Sequence, residues 1–318
     1  MRVVFFGSPE FAVPTLQSLA ASPAFEVVLV VTQGARGRSP VEVAADALEL
    51  PVYKPETLRD PASREPLIAA EPDLFVVAAF GLIFRQRTLD IPRLGSINVH
   101  PSLLPKYRGA SPIVAAIASG DRETGVALLV MDAGIDTGAV VSLERMLVTD
   151  EDTSESLGGR LARMGADMAV RDIPRWIEGE LVALPQEGSP ASLTRTLSKA
   201  DGWVDWTRAA ADIERQIRAM WPWPRAWTTI HGSPIQIHGA KVVDVENDEY
   251  EPGEAISARR RLIVACGEDA LEIRTVEPAG RRAMAAGAYL NGVRTPIVRL
   301  GDAGAPEPVP PLVVPVES

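Results

Sequence analysis

Two polar side chains in one short segment have the types and the spacing needed for chemistry at a carbonyl group. Asn98 and His100 stand two residues apart in the stretch SINVH. Because side chains alternate across a β-strand, both would lie on the same face if this stretch is extended. An Asn amide can donate a hydrogen bond to a developing oxyanion, and an imidazole can transfer a proton or, as imidazolium, stabilise that charge. The pair therefore suits attack by a nucleophile on a carbonyl carbon.

A third candidate lies further along the chain, in the stretch MDAGIDTG at residues 131–138. Two glycines and two aspartates between two apolar runs indicate a functional loop. A carboxylate from this loop could orient His100 and favour its imidazolium form, so Asp136 is the candidate partner. Taken alone, the same loop could also be an ordinary hairpin connection, and His100 a packed or surface residue.

Several other kinds of site do not fit the sequence. The chain has one cysteine, Cys266, and three histidines, which leaves no cysteine set for zinc and no intrachain disulfide. The 131–138 loop lacks the acidic ligand set of an EF-hand, and no G-x-S-x-G elbow is present for a Ser-His-Asp hydrolase. The first apolar run is followed by Gly7-Ser8-Pro9, which is not the G-x-G-x-x-G fingerprint, so we predict no NAD site.

Length and composition set the class of protein. The 318 residues suggest about two domains. With 46% hydrophobic and 23% charged residues, the chain is neither wholly disordered nor collagen-like nor a coiled coil. Its net charge of −10 argues against a surface coated in nucleic-acid-binding cations, although it allows a local basic patch. No apolar stretch reaches the ~18 residues of a membrane span, and the first residues lack a signal-peptide core, so we expect a cytoplasmic protein without membrane contact.

Residues 1–183 alternate between strand and helix patterns, which should position the candidate residues. Such alternation predicts an α/β domain with a mostly parallel sheet and helices on both faces. Asn98 and His100 would then lie at the carboxyl end of a strand, where open α/β sheets bind their ligands. Apolar runs predict strands at 3–6, 26–31, 52–53, 73–78, 96–99, 125–131 and 138–147, and helical spacing predicts helices at 11–21, 41–50 and 153–176.

The remainder of the chain has a different pattern. Residues 184–205 are polar and contain Pro and Ser, which predicts a linker. Residues 206–300 contain a helix pattern at 213–220 and several short strands separated by Gly and Pro, which predicts a small antiparallel barrel domain. Residues 301–318 hold five prolines and are expected to form an extended or disordered tail. We expect the tryptophans of this half to pack in the core or between the domains rather than to stack on bases: Trp221, Trp223 and Trp227.

Charge also distinguishes the two halves. The second half is much less acidic than the first, and its arginines cluster at 259–261 and at Arg281-Arg282. These clusters are either a solvated face or a contact surface for a polyanion, held by neutralisation of phosphates.

The motifs together resemble a known family. The stretch NVHPSLLPKYRG at 98–109, followed by MDAGIDTG, is similar to the folate-dependent formyltransferases, which transfer a formyl group from 10-formyltetrahydrofolate to an amine. Three further stretches, LSKADGWVDW, RAMWPWPRAWT and EPAGRRAMAAGAYLNG, resemble the members of this family that act on the methionine carried by initiator tRNA. The opening VVFFGSPEFAVPTL resembles them too, so the resemblance covers nearly the whole chain. It implies a Rossmann-like formyltransferase domain at 1–183 and a small OB-like β-barrel at 206–300.

The resemblance also implies roles for individual residues. It makes Asn98, His100 and Asp136 the catalytic trio. It implies 10-formyltetrahydrofolate as formyl donor, initiator Met-tRNA as partner, no metal, and a monomer in the cytoplasm. Because the loop at 32–40 is shorter and less basic than in family members, it puts the details of tRNA discrimination in doubt. The implied folate contacts are Ser102, Leu103, Leu104, Pro105, Phe80, Gly81, Leu82 and Ile83, and the implied tRNA contacts are Arg36, Arg38, Arg281 and Arg282.

Alternatives to this interpretation remain open. The implied apolar folate contacts could be ordinary core residues, since buried leucine is common. The amine could belong to an amino sugar nucleotide or to another small molecule, although the second domain counts against a purine-type enzyme. A protein that binds folate or tRNA without catalysis is a further alternative, as is an NAD-dependent oxidoreductase.

Overall fold

A computed structural model describes residues 1–34, 37–186, 190–245, 249–258, 261–293 and 295–316. The first part of the chain alternates between strands and helices, as the apolar pattern predicted. Its elements are β1 (Arg2–Gly7), α1 (Val13–Ala21), β2 (Glu26–Val31), α2 (Pro40–Ala47), β3 (Val52–Tyr53), α3 (Pro61–Ala69), β4 (Leu74–Ala78), α4 (Gln86–Leu89), β5 (Ser96–His100), β6 (Arg108–Gly109), α5 (Pro112–Ala118), β7 (Glu123–Val130), β8 (Val140–Leu147) and α6 (Ser154–Ile177).

Within the described residues of this part, seven strands form one sheet in the order β3-β2-β1-β4-β5-β7-β8. The first five strands are parallel to one another, whereas β7 is antiparallel to both β5 and β8. A direct loop joins β7 to β8, and such a connection requires antiparallel strands. The strand order reverses direction between β1 and β4. Loops at the carboxyl ends of these strands therefore border a crevice in which α/β sheets bind ligands.

Both faces of the sheet are covered, because alternate side chains of its central strands enter two different cores. Val3, Phe5 and Val76 belong to the core beneath α1 and α6. Their neighbours Phe6 and Phe75 belong to the core on the opposite face. Continuous apolar runs such as FVV at 75–77 are typical of parallel strands buried on both sides. The sequence pattern therefore already indicated a sheet between two helical layers.

The second part of the chain forms a curled antiparallel sheet. The elements of this part are β9 (Ser192–Thr194), α7 (Ala210–Ala219), β10 (Ala226–Ile230), β11 (Ser233–Val243), β12 (Ala255–Ala258), β13 (Arg261–Ala265), β14 (Ala270–Pro278), β15 (Met284–Ala285), α8 (Ala286–Asn291) and β16 (Val313–Pro315). In the described residues the strand order of the sheet is β10-β11-β14-β13-β12, with β15 paired to β14. The helix α7 supplies Ile213 and Ile217 to the core beneath this sheet. The expected fold class, a Rossmann-like domain followed by an OB-like domain, is confirmed.

A small third sheet connects the two parts. In the described segments it has the order β6-β9-β16, with β9 parallel to β6 and antiparallel to β16. The predicted linker at 184–205 thus contains the strand β9, and the predicted tail at 301–318 contains the strand β16, which is paired to β9. The boundaries at residues 183, 206 and 300 stay predictions.

The two domains also touch where α7 ends and α6 begins. Arg218 Nη1 donates to the carbonyl of Asp152 over 2.8 Å, and Trp221 Nε1 donates to Glu155 Oε2 over 3.0 Å. Trp221 therefore lies between the domains, as expected. The expectation is wrong for Trp223, which is 56% exposed, because it lies in the turn that follows α7 and turns run over the surface. Among the described residues, no helix has the length and apolar character needed to cross a bilayer.

Candidate active site

The three predicted catalytic residues meet at the carboxyl end of β5. Asn98 Nδ2 donates to Asp136 Oδ1 over 2.9 Å. The other carboxylate oxygen, Oδ2, lies 3.5 Å from His100 Nδ1. Asn98 and His100 share one face of β5, as their spacing predicted, and Asp136 reaches them from the loop between β7 and β8. One carboxylate therefore contacts both side chains that could act on a carbonyl group.

The imidazole of His100 is buried and held from both sides. Its Nε2 lies 2.9 Å from the carbonyl oxygen of Tyr107, and the side chain is 4% exposed. Since a carbonyl only accepts hydrogen bonds, Nε2 carries the proton in this pair. The other ring nitrogen, Nδ1, faces Asp136.

The carboxylate of Asp136 is held by the backbone of the segment that follows His100. The amide of Gly109 donates to Asp136 Oδ2 over 2.8 Å. Asp136 itself adopts a left-handed backbone conformation, with φ of 51°. Few residues other than Gly, Asn and Asp adopt this conformation readily. Asp136 thus adopts the backbone conformation that the turn of the loop requires, and its side chain contacts Asn98, His100 and Gly109.

One residue of the site has no sequence signal that could have revealed it. Gln186 Nε2 donates to the carbonyl oxygens of Asp136 and Gly138, over 2.7 and 2.8 Å. Its Oε1 accepts hydrogen bonds from Arg108 Nε and Nη2, over 3.1 and 2.8 Å. Gln186 thereby ties the Asp136 loop to the strand β6. It lies in the polar stretch that predicted a linker, where neither period nor motif marks it.

Tyr107 completes the surroundings of His100. Its hydroxyl donates to Asp121 Oδ2 over 2.9 Å, and Lys106 Nζ lies 4.7 Å from its ring centre. Burial raises the pKa of the Tyr107 phenol, so the ring stays uncharged. The sequence analysis quoted Tyr107 within a motif without giving it a role.

The first predicted folate segment, Ser102 to Pro105, forms the turn after β5. Ser102 is buried, and its hydroxyl donates to the carbonyl of Lys106 over 2.6 Å, which holds this turn. Leu104 packs in a small core with Ala127 and Leu129 on β7. Leu103 and Pro105 are half-buried. Contact of these residues with folate stays a prediction.

The second predicted folate segment follows β4, beside the crevice. Phe80 is half-buried and meets the ring of Phe6 edge to face, with 5.4 Å between centroids. Leu82 packs half-buried on the same core. Gly81 is exposed, and Ile83 is 67% exposed. The segment thus offers an apolar surface at the carboxyl end of β4, where a flat ring could lie.

The four predicted tRNA contacts fall in both domains. Arg36 lies outside the described residues. Arg38 forms ion pairs with Glu42 and Asp46 on α2. Arg281 and Arg282 are exposed in the turn after β14, and Arg281 borders a groove of about 470 Å³. Contact of these arginines with tRNA stays a prediction.

No group of three or more His, Cys, Asp or Glu in the described ranges could hold a metal ion. The arrangement at β5 offers hydrogen-bond donors and one half-buried carboxylate. These groups suit stabilisation of negative charge and movement of a proton at a carbonyl centre.

Comparison with known proteins decides the family. The family model for formyl transferases matches residues 1–173, and the model for the formyl transferase C-terminal domain matches residues 196–294. The chain belongs to the formyltransferase family. The methionyl-tRNA formyltransferase of Chloroflexus aurantiacus is 43% identical to this formyltransferase over 312 residues, which cover 95% of this chain and 100% of that one. That of Methylococcus capsulatus is 42% identical over 309 residues, with the same two coverages.

A solved structure supports the fold of this formyltransferase. WlaRD, a sugar 3N-formyl transferase described in the presence of dTDP and 5-N-formyl-THF, superimposes with a TM-score of 0.66 at 18% identity. The match covers 89% of this chain and 99% of that one. At this identity the likeness concerns the fold alone, and it extends through both domains.

Proposed function

We propose that this enzyme transfers the formyl group of 10-formyltetrahydrofolate to the amino group of methionine on initiator Met-tRNA. The observation that carries the proposal is the contact of a single carboxylate, Asp136, with both Asn98 and His100. Relatives that share about 43% of the sequence over their whole length are named methionyl-tRNA formyltransferases. Their sequence similarity along nearly the whole of this chain favours the tRNA-borne amine over a small one.

The residues beside the crevice fit a folate. Phe80, Leu82 and Ile83 provide an apolar surface after β4, and the turn at 101–106 directly follows His100 at the end of the neighbouring strand β5. Flat, largely apolar ligands are bound by such surfaces with a few polar groups at their edge. When bound there, 10-formyltetrahydrofolate supplies a formyl group attached to a nitrogen that can leave.

Asn98 stabilises the negative charge that develops on the formyl oxygen as the amine attacks. Its amide has two N–H groups, and Asp136 takes only one of them. The second is free to donate to the formyl oxygen. Because Asp136 already orients the amide, no reorientation is needed during the reaction.

His100 supplies positive charge at the same place. Its Nε2–H is bound to Tyr107, so the added proton of the imidazolium resides on Nδ1. Nδ1 lies 3.5 Å from Asp136, too far for a strong hydrogen bond, which leaves this proton available to the formyl oxygen. The amine must lose one proton as its bond to the formyl carbon forms. The departing nitrogen must gain one as its bond breaks, and Asp136 with His100 can carry that proton.

The basic residues outside the trio have a separate task in this proposal. Arg281 and Arg282 in the second domain, and Arg36 and Arg38 in the first, neutralise phosphates of the tRNA. Contacts of this kind position a nucleic acid without reading its sequence. The proposal includes action in the cytoplasm and as a monomer; since one chain supplies the whole trio, no second copy is needed to complete the site.

A formyl-transfer assay tests the proposal. Purified protein is given 10-formyltetrahydrofolate with charged initiator Met-tRNA, charged elongator Met-tRNA or an amino sugar nucleotide. Formylation confined to the initiator is the expected result. Transfer to the sugar amine alone would retain the catalytic trio and overturn the acceptor. Folate binding without transfer to any amine would instead favour a binding protein.

A further inference from the structure

The tail of the chain returns to the segment that holds the catalytic residues. The strand β16 pairs with β9, and β9 pairs with the two-residue strand β6. Hydrogen bonds flank the outer pairing at both ends: the amide of Arg195 donates to Leu312 O over 3.3 Å, and the amide of Val316 donates to Ala191 O over 2.8 Å. A continuous hydrogen-bonded path thus joins residues 312–316 to residues 108–109.

The segment at the inner end of this path supplies two backbone groups of the active site. The carbonyl of Tyr107 accepts a hydrogen bond from His100 Nε2–H, and the amide of Gly109 donates one to Asp136. Displacement of residues 107–109 would therefore disturb the histidine and the aspartate together. The site depends on how firmly this short segment is held.

The strand β9 holds that segment through several hydrogen bonds. Ser192 Oγ accepts from the amide of Tyr107 over 2.9 Å, and Thr194 Oγ1 donates to the carbonyl of Arg108, also over 2.9 Å. Gly109 has φ of 93°, and a Cβ there would lie 2.4 Å from the carbonyl oxygen of Thr194. The backbones of β6 and β9 approach so closely that only glycine fits.

Without β16, the inner pair would be very small. Isolated two-stranded pairings are marginal in water, and strands usually need a third strand or a packed face for stability. Here β6 contributes only two residues, so β9 alone offers it little support. The strand β16 supplies the third strand.

The same tail also covers Tyr107. Leu312 and Val313 pack against the buried cluster of Tyr107, Ala115 and Ala116. The next residue, Val314, is 48% exposed. Alternate residues of a strand face opposite sides, so the tail has one face on Tyr107 and one in solvent.

A buried ion pair fixes the path of the tail. Both guanidinium Nη atoms of Arg195 donate to the Asp201 carboxylate, and Arg195 Nε donates to the carbonyl of Pro310 over 3.0 Å. Asp201 is almost fully buried. The chain just before β16 is therefore bound to the segment that leads into the second domain.

We propose that the tail strand β16 is a positioning element of the active site. It covers Tyr107 and completes the small sheet, and by doing so it holds the Tyr107 carbonyl on His100 and the Gly109 amide on Asp136. As far as activity is concerned, the inference rests on the proposed function. Loss of the tail contact should reduce the rate of formyl transfer with little change in the affinity for substrates.

Two neighbouring substitutions test this inference. Val313→Asp places a charge against Tyr107, whereas Val314→Asp places the same charge in solvent on the same strand. We expect Val313→Asp to lower kcat about tenfold or more, because small displacements of catalytic groups have large effects on rate, with KM for both substrates within about twofold. Val314→Asp should leave kcat within about twofold. Val313→Ile, which keeps the apolar contact, should retain the activity.

A spectroscopic measurement separates this inference from the proposed function. The chain has three histidines, so ¹⁵N-histidine labelling gives few signals, and those of His100 are identified by their loss in His100→Ala. In the unaltered protein Nε2 of His100 should be protonated and the amide of Gly109 should exchange slowly with solvent. Val313→Asp, and a chain that lacks residues 309–318, should lose the Nε2-protonated form and exchange the Gly109 amide faster.

Each outcome of these measurements supports or overturns the positioning role of β16. If both altered chains keep the His100 spectrum, the slow Gly109 exchange and the normal kcat, the tail does not position the site. Equal loss of kcat in both aspartate variants would also overturn the inference, because the effect would not depend on the face toward Tyr107. If the unaltered protein transfers no formyl group but the spectroscopic changes occur, the proposed function fails while the positioning role stands.

Discussion

Gly165 of α6 lies directly against Val99 of β5, the residue between Asn98 and His100. A Cβ built on Gly165 would lie 2.5 Å from Val99 Cγ1, closer than any real contact allows. The absence of a side chain thus lets the long helix rest on the strand that carries two of the catalytic residues. Asn98 and His100 flank Val99, so the helix packs against the part of β5 from which both side chains project.

We therefore expect Gly165→Ala to destabilise the protein, although alanine usually favours a helix. The clash should cost about 1–3 kcal/mol, more than the gain of up to ~1 kcal/mol in helix propensity. Denaturant unfolding measures the change. Gly159→Ala on the same helix is the control, since the nearest atom to its Cβ would be the end of Arg163 at 3.8 Å. It should stabilise the protein, and a loss of stability as large as that of Gly165→Ala would show that the Val99 contact is not the cause.

Substitution of the trio should abolish most turnover without unfolding the protein. Asn98→Ala and His100→Ala each remove a donor to the formyl oxygen, which is worth roughly 10²–10³-fold in rate. Asp136→Asn keeps the shape but removes the charge that holds His100, with an expected loss of about 10²-fold or more. Steady-state kinetics and circular dichroism are measured on each variant. Near-normal turnover in a folded Asn98 or His100 variant would contradict the assigned roles.

Gln186 should be a positioning residue, and its Nε2 contacts to the Asp136 loop can be tested separately from its Oε1 contact to Arg108. Gln186→Glu keeps an acceptor for Arg108 but cannot donate to the carbonyls of Asp136 and Gly138. Because unpaired buried carbonyls and an added charge both cost free energy, we expect about a tenfold lower kcat with KM little changed. Gln186→Ala, which removes both the Nε2 donor and the Oε1 acceptor, should have a kcat at least as low. Full activity of Gln186→Glu would show that the loop around Asp136 needs no support from this side chain.

The buried pair of Arg195 and Asp201 predicts how stability depends on pH. Burial alone would raise the pKa of the Asp201 carboxyl, but hydrogen bonds from Arg195 and Ser198 outweigh it and hold this pKa below its ordinary value of 3.8. A folded-state pKa below the unfolded one means that ionised Asp201 stabilises the fold above about pH 4. This stabilisation is lost as the pH falls through the folded-state pKa.

Asp201→Asn should accordingly be less stable than the unaltered protein at pH 7, by about 1–3 kcal/mol. The difference should shrink as the pH falls below 4, where the unaltered carboxyl becomes protonated too. Urea unfolding at several pH values measures both curves. A difference that stays constant down to pH 2 would show that the charge of Asp201 is not what stabilises the fold.

The sequence revealed the parts of this structure that depend on local pattern. The apolar runs located the strands of the large sheet, since each is a buried stretch with clear ends. The spacing of Asn98 and His100 correctly placed both on one face of β5. Asp136 was found as their partner because its loop combines glycines and aspartates between two strands.

Features that depend on distant pairing carried no local signal. The strands β9 and β16 have three residues each, and they pair with one another across more than a hundred residues of chain. Gln186 acts through hydrogen bonds to backbone groups about fifty residues away, which no motif encodes. Trp223 was expected to pack in the core or between the domains because tryptophan is usually buried. It lies in the turn after α7 and is exposed.

The pairing of β9 with β16 also determines how the second domain is attached. The chain leaves the first domain through β9 and comes back to it through β16, and these two strands lie side by side. The second domain is in effect an insertion whose two ends form one ribbon. Such a double tether resists twisting about its own length while still allowing the ribbon to bend. A single cut in the chain between the domains would leave them connected.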